Sequence, residues 1–98
     1  MVEQIEQGMI LKIEGISHLV LVVSNNTINL TGRVVVCPVY VPEVTPTLSV
    51  PLENGMTVVC DTIRQLDLAA RRYAHREKVS LAKVIQITDR VQSMFDYY

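Results

Sequence analysis

The 98 residues match the common length of one domain, and 1–98 is read as a single unit. Valine supplies 16 residues, isoleucine 8 and threonine 7, and the chain is 49% hydrophobic, which excludes a disordered chain or a plain helical bundle and points to pleated, half-buried surface. Nine basic residues against ten acidic leave a net charge of −1, an average that excludes a strongly basic nucleic-acid binder.

The first eight residues, MVEQIEQG, carry two glutamates and no base, unlike a signal or transit peptide. The longest apolar run near the start, residues 19–23, falls far short of the ~20 needed to span a bilayer. A cytoplasmic protein without membrane association is expected.

Gly8 opens a first strand, GMILKIE, in which Met9, Leu11 and Ile13 alternate with Ile10, Lys12 and Glu14, and Gly15 ends it. A second strand follows at 18–24, HLVLVVS, so continuously apolar that it belongs in the sheet centre. NNTINLTG reads as a turn cluster. A third strand spans 33–40, RVVVCPVY, with Pro38 at an edge or bulge because it cannot donate to a ladder.

Pro42, Pro46 and Pro51 frame a loop with a short edge strand at about 47–52, and Glu53-Asn54-Gly55 signals a hairpin. A fifth strand is expected over 56–66. Asp67 then caps one or two helical turns in LAARRYA, although local propensity alone would carry that helix to Lys78. The clearest helix fills the last 19 residues, with Ser80 as N-cap and Leu81, Val84, Ile85, Thr88, Val91, Met94 and Phe95 as its apolar face. Lys83 at N3 leaves no capping box. Five or so short strands with one helix are best closed as a small barrel, which hides their edges.

Charge is unevenly placed. Residues 1–60 hold five acids against two bases, and residues 61–98 hold five acids against seven bases. Arg64, Arg71, Arg72, Arg76, Lys78 and Lys83 fall within 64–83, with His75 among them. That strip is either a solvated surface or a set of phosphate contacts on an otherwise neutral protein. Asp61 ends a valine-rich run, where an unpaired acid is costly to bury, so it is a structural partner or a functional carboxylate.

In a continuous strand Asp61 and Arg64 would face opposite sides. His18 opens a strand and is either a surface residue or a proton-transfer group. Tyr40 is either a rim aromatic or a stacking platform for a base. Tyr97 and Tyr98 pack on a partner or fray. Cys37 and Cys60, in VVVCP and VVCD, read as buried reduced thiols. No CxxC, HExxH or GxGxxG appears, and neither metal nor cofactor is expected.

Taken in order, GMILKIE, HLVLVVSNNTIN, TGRVVVCPV and VVCDTIRQLDLAARR before a closing helix resemble the MazF/PemK toxins, messenger-RNA interferases of bacterial toxin–antitoxin pairs. The resemblance covers residues 8–95 and rests on the order of four short motifs rather than on any one. The matching positions are Ser24 with Asn25, Pro38, and Asp61, Arg64, Leu66 and Asp67. It implies an SH3-like barrel of five to six antiparallel strands with a C-terminal helix. It also implies a homodimer, metal-independent cleavage of single-stranded RNA, and inhibition by an antitoxin whose tail occupies the RNA groove.

The departures concern the site. Only Gly15, Ile16 and Ser17 separate the first two strands, where the family has a long loop. His18-Leu19 stands for the family's Arg-Pro, Pro38-Val39-Tyr40 for its Pro-x-Thr, and Thr62 for the glutamine of Asp-Gln-x-Arg. Both positions usually given chemical roles are therefore substituted, and function lives in the site and not in the fold.

The first functional expectation is an endoribonuclease with a rebuilt site. His18, Tyr40 and Asp61 would form the catalytic set, and Arg64, Arg71, Arg72 and Arg76 would bind RNA. The alternative is a catalytically degenerate toxin-like barrel that binds nucleic acid, an antitoxin peptide or another protein. A third reading follows from the related CcdB barrel, which poisons gyrase and uses its extreme C-terminus on the target.

Overall fold

The computed structural model describes residues 4–40 and 48–95. Seven strands form one antiparallel sheet with a C-terminal helix. The strands are β1 (Met9–Ile13), β2 (Leu19–Val22), β3 (Arg33–Tyr40), β4 (Ser49–Pro51), β5 (Thr57–Val59), β6 (Arg64–Asp67) and β7 (Tyr73–Lys78). A short helix α1 (Asn26–Asn29) follows β2, and α2 (Leu81–Ser93) closes the fold. The sheet order is β4-β5-β3-β2-β1-β7, with β6 also paired to β3. The expected antiparallel sheet with a C-terminal helix is present, with seven strands instead of five or six, and its path runs from β4 to β7 without closing on itself.

Side chains alternate across the strands, so each face carries its own core. On one face Leu11, Ile13, Val20, Val22, Val36 and Leu66 pack together. On the other, Ile10, Leu21, Val39, Val58 and the two cysteines pack beneath Ile87 of α2. Gly8 lies where α2 meets the sheet. Its φ is +95°, and an added Cβ would lie 2.8 Å from Cγ2 of Val84. A side chain there would meet both backbone strain and a clash.

β3 is observed over the expected residues and organises the sheet. Its C-terminal half pairs with β5 (Val39 opposite Val58), and its N-terminal half with β6 (Val36 opposite Arg64). Three steps along β3 thus correspond to six along the other strand, so the single strand expected over 56–66 is instead two. The intervening chain loops out, and the Cys60 amide donates to the Leu48 carbonyl at 2.8 Å.

The NNTINLTG turn cluster contains one helical turn, capped by Asn25 Oδ1, which accepts from the Ile28 amide at 3.0 Å. Glu53–Gly55 forms the 3₁₀ turn of the β4–β5 hairpin. Val50 lies within the described part of the expected edge strand, whereas Thr47 lies outside the described residues.

Asp67 does cap a turn, its carboxylate accepting from the Ala69 amide at 3.0 Å, but that turn is a 3₁₀ segment ending at Ala70. The chain then becomes β7 instead of helix, held against β1 by backbone pairing. Ser80 caps α2 as expected, accepting from the Lys83 amide. The buried side of α2 is set by Val84 and Ile87. Leu81 (74% exposed) and Ile85 (52%), expected to share the apolar face, form a second, solvent-facing row, and Phe95 (69%), just past the helix, is exposed as well. The helix carries two adjacent apolar rows, and only the position of the sheet decides which one packs.

Candidate active site

Strand register builds the site. Leu19 pairs with Val39 and Val20 with Pro38, so one step further His18 comes opposite Tyr40. Their ring centroids are 5.1 Å apart at an interplanar angle of 39°, a tilted aromatic contact. Arg64 faces Val36, four positions from Tyr40 along β3 and on the same side of the sheet. His18, Tyr40, Thr62 and Arg64 then rim a cavity of about 110 Å³ over a floor that includes Ile16, Val20, Val36 and Leu66. That is smaller than the roughly 300 Å³ at which enclosed small-molecule sites begin, and it suits a base edge or a phosphate approached from solvent.

His18 and Tyr40 are half-buried, and Arg64 is exposed at the rim. Desolvation, then the charges of Arg64 and Lys12, hold the imidazole below its usual pKa of 6.5. His18 is therefore predominantly neutral at pH 7 and equipped to accept a proton. Arg64 supplies a permanent cation at the same opening.

The other expected site residues lie elsewhere. Asp61, exposed in the β5–β6 link, is outside the lining of this cavity, and its charge only adds to the burial that raises the thiol pKa of Cys37 and Cys60 on the opposite side. Arg71 and Arg72 line a separate open depression with Glu14 and Ala70. Arg76 is the extra residue of a β-bulge, since Leu11 pairs with His75 and Ile10 with Glu77. The β1–β2 link borders both without joining them, Glu14 lining one and Ile16 the other.

Ser24 and Asn25, which match the family pattern, are engaged in folding. Ser24 Oγ accepts from the Val35 amide at 3.0 Å and contacts Asn29 Oδ1, while Asn29 Nδ2 donates to the Ser24 carbonyl at 3.0 Å. Burial pushes the thiols of Cys37 and Cys60 up to about 12 and about 11, so both are unreactive at neutral pH. Among the described residues no group of three or more His, Cys, Asp or Glu is arranged to hold a metal ion. Among the described residues no helix is long and apolar enough to cross a membrane.

Two residues at the site are absent from the sequence-based set. Thr62 lines the cavity. Lys12 reaches the β1–β2 link, where Nζ donates to the Ile13 carbonyl at 3.3 Å and to the Ile16 carbonyl. The available signal for Lys12 was its place on the Ile10 side of an otherwise apolar strand.

A family model described as PemK-like, MazF-like toxin of type II toxin-antitoxin system matches residues 12–95. The chain belongs to this toxin family. Its fold is similar to that in a MazE–MazF structure from Deinococcus radiodurans, with TM-score 0.85 and 20% identity over 96% of this chain and 98% of that one. It is also similar to an endoribonuclease from a Mycobacterial species, with TM-score 0.80 and 19% identity over 96% of this chain and 93% of that one. A third similar structure holds an endoribonuclease in complex with its cognate antitoxin from a Mycobacterial species, with TM-score 0.79 and 19% identity over 93% and 94% of the respective chains. No curated protein matches the sequence. In this PemK/MazF-like toxin, three positions read from the sequence as departing from the family pattern, His18, Tyr40 and Thr62, border the cleft.

Proposed function

We propose that this toxin is a metal-independent endoribonuclease that cleaves single-stranded RNA at the His18–Tyr40–Arg64 cleft. The observation that carries the reading is the convergence of His18 and Tyr40 with Arg64 at one opening. The similarity to structures described as endoribonucleases supports it.

Neutral His18 takes the proton of a ribose 2′-hydroxyl as that oxygen attacks the adjacent phosphorus. Arg64 balances the charge that builds on the phosphate oxygens. The P–O5′ bond breaks, leaving a 2′,3′-cyclic phosphate and a 5′-hydroxyl, with the leaving oxygen protonated from the site or solvent. Tyr40 orients the imidazole and offers its ring and hydroxyl to the nucleotide. Asp61, outside the cavity, takes no part in this sequence of steps.

Arg71, Arg72 and Arg76 extend the RNA path beyond the β1–β2 link by contacting phosphates, which position the strand without reading its sequence. An acidic antitoxin segment on the same track would block RNA entry, and the similar toxin–antitoxin complexes support such a partner. A homodimer in the cytoplasm completes the reading, and exposed Leu81, Ile85 and Phe95 are apolar surface available to a second copy.

A fluorogenic single-stranded RNA assay in EDTA tests this. The wild-type protein cleaves, and His18→Ala loses most of the activity. Equal background signal from both proteins removes the catalytic reading. Tight co-purification of an acidic antitoxin without cleavage would leave the binding-only barrel in its place.

A further inference from the structure

We propose that Lys12 is a positioning residue of this site: its ammonium ties the Ile13 and Ile16 carbonyls together, closes the β1–β2 link, and so holds His18 against Tyr40. The proposal rests on the ribonuclease reading only for its effect on rate. Its structural content stands on the fold itself.

The link from β1 to β2 spans only residues 14–18. It turns at Gly15, whose φ of +89° lies in the region that favours glycine. The Ile16 amide donates back to the Ile13 carbonyl at 3.1 Å. One such bond closes a turn but does not fix what leaves it. Lys12 Nζ adds two further bonds, to the Ile13 and Ile16 carbonyls, from a side chain that is itself only half exposed.

Ile16 then packs into the floor of the cleft, and His18 leaves the link two residues later in register with Tyr40. A link this short has no room for a packed loop of its own, so the ammonium supplies the cross-ties.

Among the described residues, the charged and titratable groups around His18 are Lys12 on β1, Tyr40 on β3 and Arg64 on β6. Lys12 therefore acts twice, by fixing the link and by adding positive potential that favours an approaching phosphate and a neutral imidazole.

The test uses the full chain with Lys12→Met, which keeps the apolar stem and removes the ammonium, and Lys12→Arg, which keeps the charge and the donors. Lys12→Gln serves as a shorter uncharged variant if Lys12→Met fails to fold. NMR titration of His18 and the His18–Tyr40 ring contact are read alongside kcat and KM. In Lys12→Met, His18 titrates closer to 6.5 and the ring contact weakens, while Lys12→Arg stays near wild type. kcat falls about 10–100-fold with KM little changed, the loss expected from a misplaced base.

An unchanged His18 titration and ring contact in a folded Lys12→Met or Lys12→Gln protein would overturn the proposal. If the wild-type protein cleaves no RNA yet the NMR changes occur, the clamp stands and the ribonuclease reading falls.

Discussion

Two corners of the molecule contrast. At the end of β2, Ser24 and Asn25 keep the residues typical of PemK/MazF-like toxins, and their polar atoms are absorbed by the Val35 amide, Asn29 and the cap of α1. At the start of the same strand, His18 departs from the family pattern and stands with Tyr40 at an open cleft beside Arg64. Under the proposed function, retained residues serve the fold while substituted ones carry the chemistry. Matching a motif therefore does not by itself identify a site.

Mutations separate the two corners. The largest expected effect is on rate: His18→Ala lowers RNA cleavage by about 10²–10⁴-fold while thermal unfolding moves little. Next is Arg64→Met, expected to cost about 10²–10³ in kcat through lost charge stabilisation, measured under single-turnover conditions.

At the other corner, Ser24→Ala removes the acceptor of the Val35 amide. It is expected to cost about 1–3 kcal/mol in urea unfolding, with cleavage per folded molecule unchanged. A comparable loss of cleavage in Ser24→Ala and His18→Ala, both fully folded, would erase the contrast.

The smallest effects are electrostatic. Arg72→Ala and Arg76→Ala are each expected to weaken RNA binding evenly across sequences and to reduce the slope of log affinity against log salt by about one. His18 also contributes a pH dependence to stability. Its pKa is lowered in the folded protein from 6.5, so the unfolded chain takes up the proton first as pH falls. The contribution is fully present above 6.5 and is lost as pH falls through the folded value. His18→Gln should flatten the unfolding curve across that window.

Much of the architecture is legible in sequence because local rules and tertiary structure agree. β3 is a valine-rich run bounded by Gly32, and Ser80 begins α2 with the capping residue it requires. β7 escapes such reading. YAHREK has no apolar alternation and is largely exposed, so its strand state comes from pairing with β1. The break between β5 and β6 is equally silent, since it follows from a register step against β3.

Within the site, His18, Tyr40 and Arg64 are legible as residues, and their meeting depends on strand pairing. Lys12 is harder to find, because its partners are backbone carbonyls that no side-chain pattern marks. The arginines of 71, 72 and 76 were legible as a charge cluster, but their separation from the cleft was not.

The most direct measurement is the pH dependence of kcat/KM for single-stranded RNA cleavage in EDTA, run with wild type and His18→Ala beside an NMR titration of His18. The account predicts an acid limb in the wild type whose midpoint lies below 6.5 and coincides with the His18 titration, and its disappearance in His18→Ala. An acid limb of the same midpoint and amplitude in both proteins would contradict it.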